Sequence, residues 1–162
     1  MKKKIWISFS ILAVIIVGIY FSLKLNPPLE IGTLASSGDN KSVVVEIGNR
    51  GSQEVKIFNV LVNNNDIPME TKIQVSNALQ GFIITDNFND DKAKEYGFED
   101  IDGVAIKTGS SSSSNLKKLD NGTASKSDVI YGISILHNNK INKVHIKYSH
   151  LGMTFEETVI LN

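Results

Sequence analysis

The sequence predicts an all-β sandwich of about seven to nine strands, preceded by one N-terminal transmembrane helix. Residues 5–23, IWISFSILAVIIVGIYFSL, form a stretch of 19 residues without a charge. Most of the remaining chain alternates apolar and polar residues in short runs, separated by clusters of Asn, Gly and Ser, which is the pattern of half-buried strands joined by turns. Outside residues 5–23, no run of 12 or more residues has a convincing helical period.

The apolar stretch is fenced by Lys2, Lys3 and Lys4 before it and Lys24 after it. At about 1.5 Å of rise per residue its helix would span roughly 28 Å, close to the hydrocarbon thickness of a bilayer. Twelve of its residues are Ile, Leu, Val or Phe, which favours insertion by about 4–7 kcal/mol if each is counted as central. A cleaved secretory signal has the same basic start but a shorter apolar core. No small-residue cleavage site follows closely here, because Lys24-Leu25-Asn26-Pro27-Pro28 comes next and Thr33-Leu34-Ala35 is too distant. The expectation is an uncleaved anchor in the plasma membrane. Three lysines before it against one after predict a cytoplasmic N-terminus and an extracytoplasmic residue 25–162 segment. The segment has no GxxxG pattern and no ionisable residue, so it reads as a passive tether and not as a pilin helix, a proton path or a charged partner helix.

The chain is formally neutral, with 17 basic and 17 acidic residues. All the acids follow residue 24, so the outer part carries an excess of negative charge, which argues against nucleic acid as a partner. There is no cysteine, hence no disulfide and no zinc–thiolate site. A single domain over 29–162 must therefore hold itself together by its core. The abundance of Lys, Asn and Ile suggests a Gram-positive bacterium of low GC content.

Taken in order, Pro27-Pro28 stops the helix and makes a short stiff spacer at 24–28. Strands are expected at Leu29–Ala35, Ser42–Gly48 and Glu54–Asn63. In the last, Val55 and Ile57 keep one parity while Phe58, Val60 and Val62 keep the other, which calls for a bulge or a bend near Phe58. Two more strands are expected at Met69–Val75 and Gly81–Thr85. Residues 86–127 read as an irregular acidic and serine-rich insertion. Within it a short helix is expected from Asn89 or Asp90 to Tyr96, stopped by Gly97, with a return to the sheet at Val104–Lys107. Gly109–Asn115, GSSSSSN, is expected to be a loop unable to pack. Regularity returns at Asp128–His137, Asn142–Ser149 and Met153–Leu161. Glu157 shares the inward parity of Phe155 and Val159, which demands either a bulge or an edge position.

Candidate sites are few. Asp86, Asp90, Asp91, Asp100 and Asp102, with Asn87, Asn89 and Glu99, are calcium ligands in kind. An EF-hand is excluded by spacing, since the third position counted from Asp86 is Phe88 and the twelfth is Gly97. His145 and His150 are five apart, on opposite faces of one strand, and with His137 read as ordinary surface residues. Glu156 and Glu157 are adjacent and must point to opposite sides. No phosphate loop, dinucleotide fingerprint, HExxH or G-x-S-x-G occurs, so no catalytic residue and no cofactor is assigned and an enzyme is not expected. Asn40-Lys41-Ser42 and Asn121-Gly122-Thr123 match the glycosylation acceptor pattern without a bacterial meaning. Lys140, Lys143 and Lys147 form a basic stripe, either a solvated strand face or a contact with anionic envelope polymer or lipid headgroups.

KSVVVEIGNRGSQEVKIFNVLVNN (Lys41 to Asn64) and DVIYGISILHNNKINKVHIKYSHLGMTFEETVIL (Asp128 to Leu161) resemble the first and last strand pairs of small immunoglobulin-like modules in bacterial envelope proteins. The chain is similar to uncharacterised single-pass membrane proteins of Bacillus-like bacteria. The resemblance implies an immunoglobulin-like sandwich and supplies no catalytic residues. The expected function is a membrane-anchored, non-catalytic binding or accessory module of the cell envelope, its partner an envelope protein or an anionic polymer. A cation- or ligand-sensing domain built on residues 86–102 is the alternative.

Overall fold

The computed structural model describes residues 2–161, without the side chains of residues 2–5 and Ser8. Helix α1 covers Lys2–Leu25. It is followed by β1 (Leu29–Ser36), β2 (Ser42–Asn49), β3 (Val55–Val62), β4 (Glu70–Asn77), β5 (Gly97–Asp100), β6 (Ala105–Ile106), α2 (Ser112–Asp120), β7 (Val129–Leu136), β8 (Lys143–His150) and β9 (Met153–Ile160). The strands form two sheets, ordered β1-β2-β7-β4-β5 and β6-β3-β8-β9, with every pairing antiparallel. The two sheets face each other as a β-sandwich. Hairpins join β1 to β2 and β8 to β9, while the connections from β2 to β3, β3 to β4 and β7 to β8 cross between sheets.

The core lies between the sheets. Val43, Val45, Ile47, Ile73, Ile133 and Ile135 from the five-stranded sheet meet Val55, Ile57, Val62, Val144, Ile146 and Tyr148 from the other, all at most 1% exposed. Each such burial contributes about 1.5–3 kcal/mol, and with no cysteine in the chain this packing carries the fold. Tyr148 stacks on Phe155 with ring centroids 5.3 Å apart. Burial pushes its hydroxyl pKa up to about 12, with the charge of Glu157 adding to the effect. The parity slip in β3 is a real bulge, since the register against β8 shifts between Ile57 and Asn59 and leaves Phe58 half exposed. Glu157 is resolved the other way: β9 pairs with β8 in unbroken register and is an edge strand. Burial raises the Glu157 pKa, and Arg50 opposes the rise.

The outer face of the five-stranded sheet is not open to solvent. The sequence predicts a strand over Gly81–Thr85, but the segment is no strand, because it lies across the sheet and not along its edge. Gln74, on the outward parity of β4 and fully buried, satisfies the Ile83 backbone from below. Its Nε2 donates to the Ile83 carbonyl at 2.8 Å, and its Oε1 accepts from the Ile83 N–H at 2.8 Å. Phe82 sits over Gly132, where an added Cβ would approach its ring to 3.0 Å.

Residues 86–127, expected as an irregular insertion, contain packed segments. The predicted helix from residue 89 or 90 to Tyr96 is only a 3-10 turn at Ala93–Glu95, and Gly97 opens β5 instead of stopping a helix. Phe88 and Ala93 are buried, and Phe88 packs on Phe98 with centroids 4.8 Å apart. The return of Val104–Lys107 holds, as β6 pairs with the start of β3. The serine run is not an unpacked loop: Ser111 caps α2, its Oγ accepting from Ser114 N–H at 3.3 Å, and Ser110, Ser111 and Asn115 are buried. Two glycines make room for it. A Cβ at Gly48 would lie 2.6 Å from the Ser110 carbonyl oxygen, and one at Gly32 would strike Ser112 Oγ. Gly32 falls in a β1 register shift between Ile31 and Leu34, and the freed Thr33 N–H donates to Glu46 Oε2 at 2.9 Å. At the far end of α2, Lys118 pairs with Asp128 at 2.5 Å, and that bond holds the Asp128 carboxyl at about 2.

Helix α1 has 24 residues, and its described side chains from Trp6 to Phe21 are all exposed. Over the residues whose side chains are described, no helix is long and apolar enough to cross a membrane. The side chains of Lys2, Lys3 and Lys4, on which the expected orientation rests, lie outside the described ones. The Pro27-Pro28 spacer is packed on the sandwich. Arg50 Nε donates to the Pro27 carbonyl at 3.1 Å and Arg50 N–H to the Pro28 carbonyl at 3.0 Å, while Pro28 is buried. Lys24 Nζ donates to the Thr154 carbonyl at 3.2 Å and lies 5.0 Å above the Phe155 ring.

Candidate functional site

Strand direction gives the sandwich two ends. Near the exit of α1 lie the start of β1, the β2–β3 turn and the β8–β9 turn. At the opposite, far end lie the β1–β2 turn, the end of β7 and the start of β4. An open groove of about 460 Å³ occupies the far end. Leu136, Met69 and Ile83 are among its apolar lining, and Asp39, Lys41, Asp86, Asp90, Lys92 and His137 are its charged and titratable groups.

One wall is the β1–β2 turn. Asn40 takes a positive φ of 57°, which Asn tolerates better than most residues. Asp39 accepts from Ser37 Oγ at 2.7 Å and from Lys41 N–H at 3.2 Å. These bonds, the serine one first, lower its pKa, so it presents a fixed negative charge. The opposite wall is the covering segment, where Asn87 Nδ2 donates to Asp90 Oδ1 at 2.8 Å. His137 is held at the floor by its backbone N–H, which donates to the Lys41 carbonyl at 3.0 Å. Both its ring nitrogens are buried without a hydrogen-bond partner. The imidazole is therefore not paired with Ser37, Ser42 or any carboxylate, and the groove holds no nucleophile–base pair involving it. Three carboxylates and two ammonium groups around an apolar floor suit binding of a polar or zwitterionic ligand.

The structure divides the acidic candidates. Asp86 and Asp90 line the groove. Asp91 pairs with Lys94 at 2.7 Å, and Asp100, on β5, pairs with Lys72 at 2.7 Å. Asp102 lies in the turn after β5. Among the described residues, no three His, Cys, Asp or Glu side chains are grouped to hold a metal ion.

The histidines are not the surface residues expected. His150 is 3% exposed, with Nδ1 3.3 Å from the Glu54 carbonyl. His145 is half-buried on the outer face of β8, with Nδ1 3.2 Å from Thr158 Oγ1 and Nε2 3.2 Å from the Asn63 carbonyl. Their opposite faces agree with the parity argument. Lys143 and Lys147 share the outer face of β8 with His145, and Lys140 lies in the preceding turn. Glu156 reaches this stripe from β9, 4.0 Å from Lys147 Nζ and 3.7 Å from His145 Nδ1. Glu156 is thus outward and Glu157 inward, as adjacency requires.

Two buried amides escaped the sequence reading. Gln74 also donates to Ser134 Oγ at 2.8 Å, and a glutamine inside a strand run carried the signal. Asn49 is fully buried. Its Nδ2 donates to the carbonyls of Gln53 at 2.8 Å and Ile106 at 2.9 Å, and its Oδ1 accepts from Gly51 N–H at 2.8 Å. It joins the β2–β3 turn to β6. No family model, curated protein or solved structure matches the chain.

Proposed function

We propose that this chain is a membrane-anchored, extracytoplasmic binding or accessory module of the cell envelope, non-catalytic, with α1 as its single-pass anchor. The observation that carries this reading is a 24-residue helix with an uncharged stretch over 5–23, its described side chains exposed from Trp6 to Phe21, joined through a packed spacer to a sandwich with a groove at its opposite end. Uncharged apolar surface on a helix of that length is costly in water and favourable in hydrocarbon. The sandwich is read as immunoglobulin-like. With β5, β6 and α2 set aside as an insertion, the order β1-β2-β7-β4 against β3-β8-β9 follows the ABED and CFG sheets of that architecture.

Treatment of whole protoplasts with protease tests the topology: residues 25–162 should be digested while the anchor stays with the membrane after alkaline extraction. Full protection of residues 25–162 would overturn the orientation, and release by alkali would overturn the anchor. A photocrosslinking residue in place of Ile84, in the groove, should capture an envelope component in intact cells. Adducts equal to those from a site on β5 would remove the groove from the reading.

A second reading rests on Asp39, Asp86 and Asp90 lining one groove, where they are spread too far to form one ligand set and would hold a cation only through a rearrangement of the groove. The domain would then sense a cation or a cationic ligand through the start of the acidic segment. Thermal melting with and without millimolar calcium separates the two readings, because a cation site requires an upward shift and an unchanged midpoint sinks it.

A further inference from the structure

The end of the sandwich beside the helix exit carries a surface of its own. The β8–β9 hairpin turns through two residues, Leu151 and Gly152, both at positive φ, 50° and 74°. Turns of this kind favour Asn-Gly, because a left-handed conformation strains a side chain such as leucine. Leu151 nevertheless occupies the first position and is 54% exposed, an apolar side chain held outward at a local cost. The same end of the sandwich carries the last residues of α1 and the spacer. Lys24 bonds the Thr154 carbonyl, three residues along the same hairpin. Gly51 abuts both Pro28 and His150, where its Cβ would lie 2.7 Å from the Pro28 Cβ and 3.1 Å from His150 Cε1. Arg50 is bonded to the Pro27 and Pro28 carbonyls. Leu25, 76% exposed, adds a second apolar tip at the point where the helix leaves the sandwich, beside the cations Lys24 and Arg50, with the exposed Glu54 and, next to Arg50, the partly buried Glu157 as the nearby acids.

We propose that this patch is a lipid-docking surface: Leu151 enters the interfacial zone of the bilayer, and Lys24 and Arg50 contact anionic headgroups. The inference rests on α1 being the anchor and goes beyond it, since the packed spacer fixes which end of the sandwich faces the bilayer but not whether that end contacts lipid. Two observations point to lipid as the occupant. The patch is continuous with the proposed span, and its cations are complementary to an anionic surface. An exposed leucine flanked by cations matches the composition of interfacial segments.

The chain has no cysteine, so a single fluorophore can be placed by L151C or, at the far end, N138C. The full chain is reconstituted into vesicles of phosphatidylcholine with phosphatidylglycerol. Quenching of the 151 label by an aqueous quencher should be at least about twofold weaker than at 138, and most of that difference should disappear in vesicles of phosphatidylcholine alone, which leave the spacer intact and remove the anionic headgroups. Equal quenching at both positions, with the protein still in the vesicle fraction after alkali, overturns the docking and leaves the anchor standing. Loss of the protein from the vesicles overturns both. Protection that persists in detergent micelles and grows with protein concentration would assign the patch to a second copy of the chain, also against the proposal.

Discussion

The two sheets of this sandwich use their eight-residue strands in different ways. In the four-stranded sheet, β8 alternates between buried and half-buried residues over KVHIKYSH, the mark of a sheet with one face on the core. In the five-stranded sheet, β2 and β7 are buried almost throughout over SVVVEIGN and VIYGISIL. The second layer over that sheet is made by Phe82 and Ile83 and by the serine run leading into α2, and it contains no strand. Irregular chain can cover a sheet when each of its backbone groups finds a partner beneath it. Gln74 supplies those partners at Ile83, and Gly32 and Gly48 supply the clearance for the serine run.

The sharpest way to break this contrast is Gln74→Ala. It strands the Ile83 N–H and carbonyl and removes the partner of Ser134, and it should cost about 3 kcal/mol in urea unfolding. A loss under about 1 kcal/mol would mean the covering layer is not held from below. Gly48→Ala comes next. Its Cβ would meet backbone atoms of Ser110, Ser111 and Ser112 at 2.6–2.9 Å, which cannot swing aside as a flexible side chain would, so about 1–3 kcal/mol is expected, with greater hydrogen exchange over α2. An exchange pattern altered only in β2 would sink the idea that α2 is seated by these contacts.

A smaller effect is read by pH. The folded-state pKa of Asp128 is depressed, so its bond to Lys118 contributes stability above the unfolded value of about 3.8, lost as pH falls toward about 2. Asp128→Asn should flatten that part of the stability–pH curve, and an unchanged slope would show that the pair contributes nothing. The smallest effect belongs to the other sheet. Lys147→Ala, on the solvated face of β8, should change stability by less than about 0.5 kcal/mol. A larger loss, measured in the same urea series, would mean that this face is more than a solvated surface.

The eight-residue strands were legible because their alternation is a direct consequence of pleating, whereas the short β5 was missed and Gly81–Thr85 was mistaken for a strand. Phe58 and Glu157 stood out for the same reason, as breaks in parity, but parity alone left a bulge or a bend at the first and a bulge or an edge at the second. The covering layer was not legible, because it follows no period. Its order depends on contacts distant in sequence, such as Gln74 with Ile83 and Gly32 with Ser112. The continuous apolar runs at Val43–Val45 and Val129–Tyr131 did carry a signal of burial on both faces, but one that names no partner. At the candidate site, Asp86 and Asp90 were visible as a type of ligand. Their meeting with Asp39 and His137 was not, because the β1–β2 turn reaches them only through the fold.

The packed Pro27-Pro28 spacer sets a height. Because Arg50 holds both proline carbonyls and Lys24 holds Thr154, the sandwich has no free linker on which to swing. If α1 is the anchor proposed here, the groove is carried about 26 Å above the bilayer by eight-residue strands rising roughly 3.3 Å per residue. Reach is then a property of strand length, and the groove samples one thin stratum of the envelope. A few Gly-Ser residues inserted after Leu25 would exchange that fixed altitude for a cloud of positions.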